Sequence, residues 1–235
     1  MKNNLRLMLS VLLFSVFMLS ISNIYANDVA AEFEAAQNKK KEEVKASITK
    51  KMTDNFKTTK LYKKVLDTEK KRDEWVAKND AYVKDLAKTD PKYEEFKNLY
   101  FEISDCLFKN FNPDRALAAA DEALAIKEMS YIHYLKLVAY SLKADLKNVI
   151  AESEKVDEAI RPFCEGYYMT LGNAKHQTGD IEGAKKAFSE GVEKAPSREL
   201  FEDMTIFYKD IGDKKAYEEN KKIALTLFAI IRMGY

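Results

Sequence analysis

Residues 168–196 read YMTLGNAKHQTGDIEGAKKAFSEGVEKAP, and the order of large, small and turn-forming residues has one economical physical reading. Tyr168, Leu171 and Lys175 fall on one face of a first helix, and the small Gly172 beside Leu171 leaves room for another helix to approach. Gly179-Asp180 ends that helix. A second helix then carries Ala184, Ala187, Phe188 and Gly191 at spacings of three and four, and Pro196 marks its end. The stretch predicts a helical hairpin shaped to stack on others.

In its Leu171-Gly172, Gly179-Asp180, Ala184, Phe188 and Pro196 places, the hairpin resembles a tetratricopeptide repeat. Tyr168 stands at the family's Trp place, Lys175 at its Tyr place and Gly191 at its second Ala place. One hairpin cannot bury its apolar face alone, so neighbours are required at a period of about 34 residues. Upstream, 97–130 supplies Tyr100, Ile103, Ser104 and Leu107, a turn at Asn112-Pro113, then Ala116, Ala119, Ala120, Ala123 and Leu124. Between them, 131–164 offers Tyr134, Leu137 and Val138, Asp145 at the turn, then Val149, Ser153, Val156 and Ile160. Downstream, 199–232 offers Phe201, Met204, Thr205 and Tyr208, a turn at Gly212-Asp213, then Tyr217 and Ala224. The tail LTLFAIIRMGY, 225–235, is too apolar to stand in water and should lengthen the last helix as a cap. The resemblance implies an all-α chain, an α-solenoid of stacked helical hairpins preceded by long amphipathic helices.

The preceding region, 27–96, is charged and amphipathic. Between Lys39 and Arg72, thirteen Lys or Arg face five Asp or Glu. They interleave with Val44, Ile48, Met52, Phe56, Leu61 and Val65, whose four-residue steps describe a buried stripe with a solvated basic face opposite. Two or three long helices are predicted, capping the first repeat. Trp75, Val76, Tyr82, Val83 and Leu86 share a packing stripe, and Asp90-Pro91 breaks the chain before the repeats.

Residues 1–26 carry a secretory signal: Lys2 and Arg6, an apolar run Leu7 to Ile21, and Tyr25-Ala26 before Asn27. The mature protein should begin near Asn27, the alternative being an uncleaved anchor. Loss of Lys2 and Arg6 takes the formal charge from +1 to −1, which gives no global attraction to nucleic acid.

Catalytic patterns are missing. His133 and His176 have no companion nucleophile or ligand spacing, and each is expected at the surface. No metal or cofactor is expected. Cys106 and Cys164 lie on elements two repeats apart, too far for a disulfide, and should be buried free thiols.

As in the family, the first helix of each hairpin would line a concave face. The candidate contacts there are Asn98, Phe101, Asp105, Phe108, Lys109, Leu135, Ala139, Leu142, Met169, Asn173, His176, Gln177, Glu202, Ile206 and Lys209. Phe101 and Asp105 replace the Lys and Asn of family members that hold acidic C-terminal peptides, which speaks against a carboxylate clamp. The expectation is an exported, periplasmic or secreted, non-enzymatic scaffold that binds a protein or peptide partner. The alternative is an envelope factor touching an anionic polymer or membrane surface through the basic helices 39–72.

Overall fold

The chain divides into two units, Met1–Asn55 and Phe56–Tyr235. The computed structural model describes residues 56–233, with side-chain surroundings for 60–228. Residues 1–26, where a signal was expected, the basic stretch 39–55 and the last side chains of the tail lie outside the described residues.

The fold is all-α. Among the described residues there are nine α-helices, one 3-10 turn and no strand. In order they are α1 Phe56–Leu86, α2 Lys92–Phe108, α3 Pro113–Ile126, α4 Ser130–Leu142, α5 Leu146–Lys155, the 3-10 turn Arg161–Phe163, α6 Tyr167–Gln177, α7 Ile181–Lys194, α8 Arg198–Asp210 and α9 Lys214–Met233. Where two or three long helices were expected before the repeats, the described part is a single helix of 31 residues. The boundary expected at 96–97 falls inside α2, whose Phe96 is fully buried.

Helix ends follow from local chemistry. Asn112, Asp145 and Asp180 each turn a side-chain oxygen onto the third backbone N–H of the helix that follows, at 3.1, 3.2 and 2.8 Å. The residue before each lies in the left-handed region: Phe111 at φ 50°, Ala144 at 55° and Gly179 at 86°. Gly212, at 77°, does the same before Asp213. Asp145, Asp180 and Asp213 each donate a backbone N–H to the carbonyl five residues back, at 2.9, 2.8 and 2.9 Å. One aspartate thus closes the outgoing helix and caps the incoming one, so neighbouring helices are joined by very short turns.

Packing pairs α2 with α3, α4 with α5, α6 with α7 and α8 with α9, and α4 also touches both α2 and α6. Small residues make the close approaches. Ala116, Ala119, Ala120 and Ala123 form a fully buried stripe on α3, and a side chain built at Gly172 would meet Phe188 of α7 at 2.7 Å. One buried cluster joins α2–α6 and includes Val83; a second joins α7–α9 and includes Val65. α1 therefore feeds both. Cys106 and Cys164 are buried free thiols, and burial pushes both up in pKa, furthest for Cys164. No helix among the described residues is long and apolar enough to cross a membrane.

Candidate interaction surface

Each first-of-pair helix brings a different chemistry to the predicted inner face. On α2 and its C-cap, Asn98 and Lys109 are exposed, while Phe101, Asp105 and Phe108 are half-buried. The Phe101 ring stands edge-on to Tyr100 at 5.1 Å, and the Lys84 ammonium of α1 lies 5.2 Å above it. Asp105 pairs with Lys109 at 2.5 Å, one helical turn on. Phe101 and Phe108 both rest against the first cluster, leaving a partly wetted aromatic edge.

The α4 contribution differs from expectation. Leu135 and Ala139 are fully buried and so offer no surface to a partner. With α2 and α6 both packed on α4, the face predicted to be open at this repeat is closed by its own neighbours. Leu142, at the end of α4, is half-buried.

On α6, Met169 is half-buried against the second cluster. Asn173 is buried and donates a hydrogen bond to the Asp203 carboxylate of α8, so it fastens two helices and is removed from the exposed surface. His176 is half-buried and stands edge-on to Phe207 at 5.0 Å. Gln177 is exposed. Glu202 and Asp203 lie side by side on α8, with Arg198 3.6 Å from Glu202. Burial pushes the Glu202 carboxyl up to about 7 against the pull of Arg198. It does the same to Asp203, also to about 7, against the hydrogen bond from Asn173. Ile206 and Lys209 are half-buried. The structure thus brings Asn173, His176, Asp203 and Phe207 together across α6 and α8, while Asn98 to Lys109 form a separate group on α2.

No family model, curated relative or solved structure matches the chain.

A polar cluster that the sequence does not single out lies between α3, α4 and α5. His133, expected at the surface, is 8 % exposed. Its Nδ1 is 2.7 Å from Glu152 and its Nε2 is 2.7 Å from Glu128. Lys136 reaches Asp121 at 2.7 Å and Glu152 at 3.4 Å, and Lys155 donates to Glu152 at 3.0 Å. Burial alone would raise the Glu152 carboxyl, but the hydrogen bonds from His133 and Lys155 and the charge of Lys136 hold it below the ordinary value. The only sequence signal is spacing: His133 and Lys136, like Glu152 and Lys155, are three apart and share a helix face.

The basic residues of the described part of 39–72 are largely engaged. Lys64 donates to the Glu193 carbonyl at the end of α7 at 2.5 Å, Arg72 lies 3.4 Å from Glu165, and Lys71 pairs with Asp67 at 2.6 Å.

Proposed function

We propose that the chain is an exported, non-enzymatic scaffold of stacked tetratricopeptide-like hairpins that binds a protein or peptide partner of the envelope or secreted fraction. One observation carries this reading. The left-handed turn residues Phe111, Ala144, Gly179 and Gly212 stand 33, 35 and 33 residues apart, each before an Asn or Asp that opens the next helix. A near-constant interval between left-handed turns of the same kind is what a repeating two-helix unit requires.

The partner surface in this reading is the α2 group, Asn98, Phe101, Asp105, Phe108 and Lys109, with Met169, His176, Gln177 and Glu202 as a second, separate group on α6 and α8. Half-buried aromatics beside exposed polar groups suit an extended or helical peptide, because aromatic anchors carry most interface energy. The non-enzymatic part rests on how the titratable groups are spent: His133 is held by two carboxylates and His176 packs on a ring. Export rests on the order of residues 1–26. The anionic-polymer alternative rests chiefly on the basic stretch 39–55, which lies outside the described residues; of the later basic residues, Lys64 and Arg72 are tied to Glu193 and Glu165.

The test begins with a partner captured by the mature protein from the envelope or secreted fraction of its own cells. Calorimetry with Phe101→Ala and Phe108→Ala should show binding weakened by about 1–4 kcal/mol each, with melting temperature lowered less than by truncation of a fully buried phenylalanine. Full-strength binding by two folded variants would move the contact elsewhere.

A further inference from the structure

The 31 residues of α1 make a rod about 46 Å long, yet among its described side chains only Val65 and Val83 are fully buried. By contrast, every residue of α4 from Ile132 to Ala139 is buried. Leu61 and Tyr62 pack, half-buried, against the second cluster and Leu86 against the first; the other attachments of α1 are polar or aromatic and come at separated points. At its centre Trp75 is stacked on Phe163 at 5.7 Å and meets Tyr131 edge-on at 5.2 Å. Arg72 pairs with Glu165, and Lys64 caps the end of α7. Toward its C-terminus, Asn79 donates to the Tyr100 hydroxyl at 2.8 Å, and that hydroxyl donates to Asp80 at 2.9 Å.

Beneath α1 lies a continuous aromatic strip. Tyr100 and Tyr131 have ring centres 6.1 Å apart, and Tyr131 and Tyr134 5.3 Å; Trp75 bridges this strip to Phe163. A strip of rings crossing α2, α4 and the α5–α6 connection, with a lightly buried amphipathic helix laid on it, is the geometry by which a helix docks in a groove. α1 also carries ion pairs of its own, Lys71 with Asp67 and Lys70 with Glu74 at 2.6 and 3.8 Å. These support its helix independently of the surface it covers.

From this we infer that α1 is an internal latch: it occupies a helix-docking site on α2–α6, its N-terminal part resting on α7–α9 through Lys64 and Val65, and leaves that site as a unit while α2–α9 remain folded. Its departure uncovers the Tyr100, Tyr131 and Phe163 strip and removes the one element that places a fully buried side chain in each of the two clusters. The regulated quantity is exposure of that strip. The inference does not depend on which partner the inner face binds.

The chain has one tryptophan, Trp75, so its fluorescence reports α1 docking directly. In the full chain, Arg72→Ala with Tyr100→Phe deletes the Glu165 pair and the hydroxyl bonded to Asn79 and Asp80, while keeping every ring of the strip. On urea titration of that double variant, Trp75 emission should shift to the red before the main loss of far-UV circular dichroism. By hydrogen exchange, α1 amides should open about tenfold or more faster than those of α4, as expected of a separate unit of low stability. Coincident fluorescence and dichroism transitions, in wild type and double variant alike, would make α1 part of one cooperative core and overturn the latch. Tyr82→Ala alters a residue of α1 that is 47 % exposed and should leave the Trp75 transition in place. A shift there equal to that of the double variant would trace the effect to helix propensity and would equally overturn the assignment.

Discussion

Gly172→Leu is the sharpest test of how α6 meets α7. Even a Cβ at this position would lie 2.7, 2.8 and 2.9 Å from three atoms of the Phe188 ring, well inside the ~3.5–4.0 Å optimum for carbon atoms. Phe188 is fully buried and also packs on Phe207, with ring centres 5.2 Å apart, so the ring has neighbours on its far side and little freedom to retreat. Overpacking of this kind costs about 1–3 kcal/mol and more where nothing yields. The helix-propensity gain on replacing an interior glycine offsets only about 1 kcal/mol. Because the Phe188 ring cannot retreat, the upper end of the overpacking range applies, and a net loss of about 2 kcal/mol is expected from urea unfolding followed by circular dichroism. Phe188→Ala alone should cost about 3–5 kcal/mol. In the double variant the new leucine enters the space of the lost ring, so the two effects should fall short of their sum by about 1 kcal/mol or more. Simple additivity, or an unchanged midpoint for Gly172→Leu, would refute this account of the close approach.

Ala144→Gly should stabilise the fold by about 0.5–1 kcal/mol, because relief of left-handed strain at φ 55° exceeds the extra unfolded-state freedom of glycine; the midpoint of urea unfolding reads it. His133→Ala leaves the buried Glu152 short of one partner and should cost about 1–3 kcal/mol in thermal or urea unfolding, the range for a buried group stripped of one hydrogen bond, since Lys136 and Lys155 remain. Asp203, raised to about 7 in the folded state, contributes stability that is complete below the ordinary carboxylate range and is lost as pH rises through 7. Asp203→Asn should therefore melt higher than wild type at pH 8 and flatten the decline between pH 5 and 8. Glu152, held low, acts in the opposite sense, its contribution disappearing as pH falls below the ordinary carboxylate range.

Much of the local architecture is legible without coordinates. Asn112, Asp145 and Asp180 mark turns by residue type, and the alanine stripe of α3 and the Gly172 notch announce close helix contacts by size alone. These features depend on residues near one another in the chain. The surface was harder to read. Leu135 and Ala139 occupy the same helix positions as the half-exposed Phe101 and Asp105, but α4 has a packed helix on each side, so the same periodicity leads to burial. Asn173 reads as a groove residue until Asp203, thirty positions later, supplies its partner. His133 reads as solvent-facing because Glu152 and Lys136 gather round it only when α4 and α5 pair.

The amino-acid sequence by itself determined that the chain is helical, where most helices begin and end, and which small residues allow neighbours to meet, since caps, turns and apolar spacing act within a few residues. The tertiary structure alone decided which polar groups are spent inside the fold, that Phe111 and Ala144 accept left-handed turns without being glycine, and that one long helix lies across the aromatic strip. Those outcomes depend on contacts between residues far apart in the chain, whose geometry no local pattern encodes. Burial then sets the energetics, raising Glu202 and Asp203 to about 7 while partners hold Glu152 low.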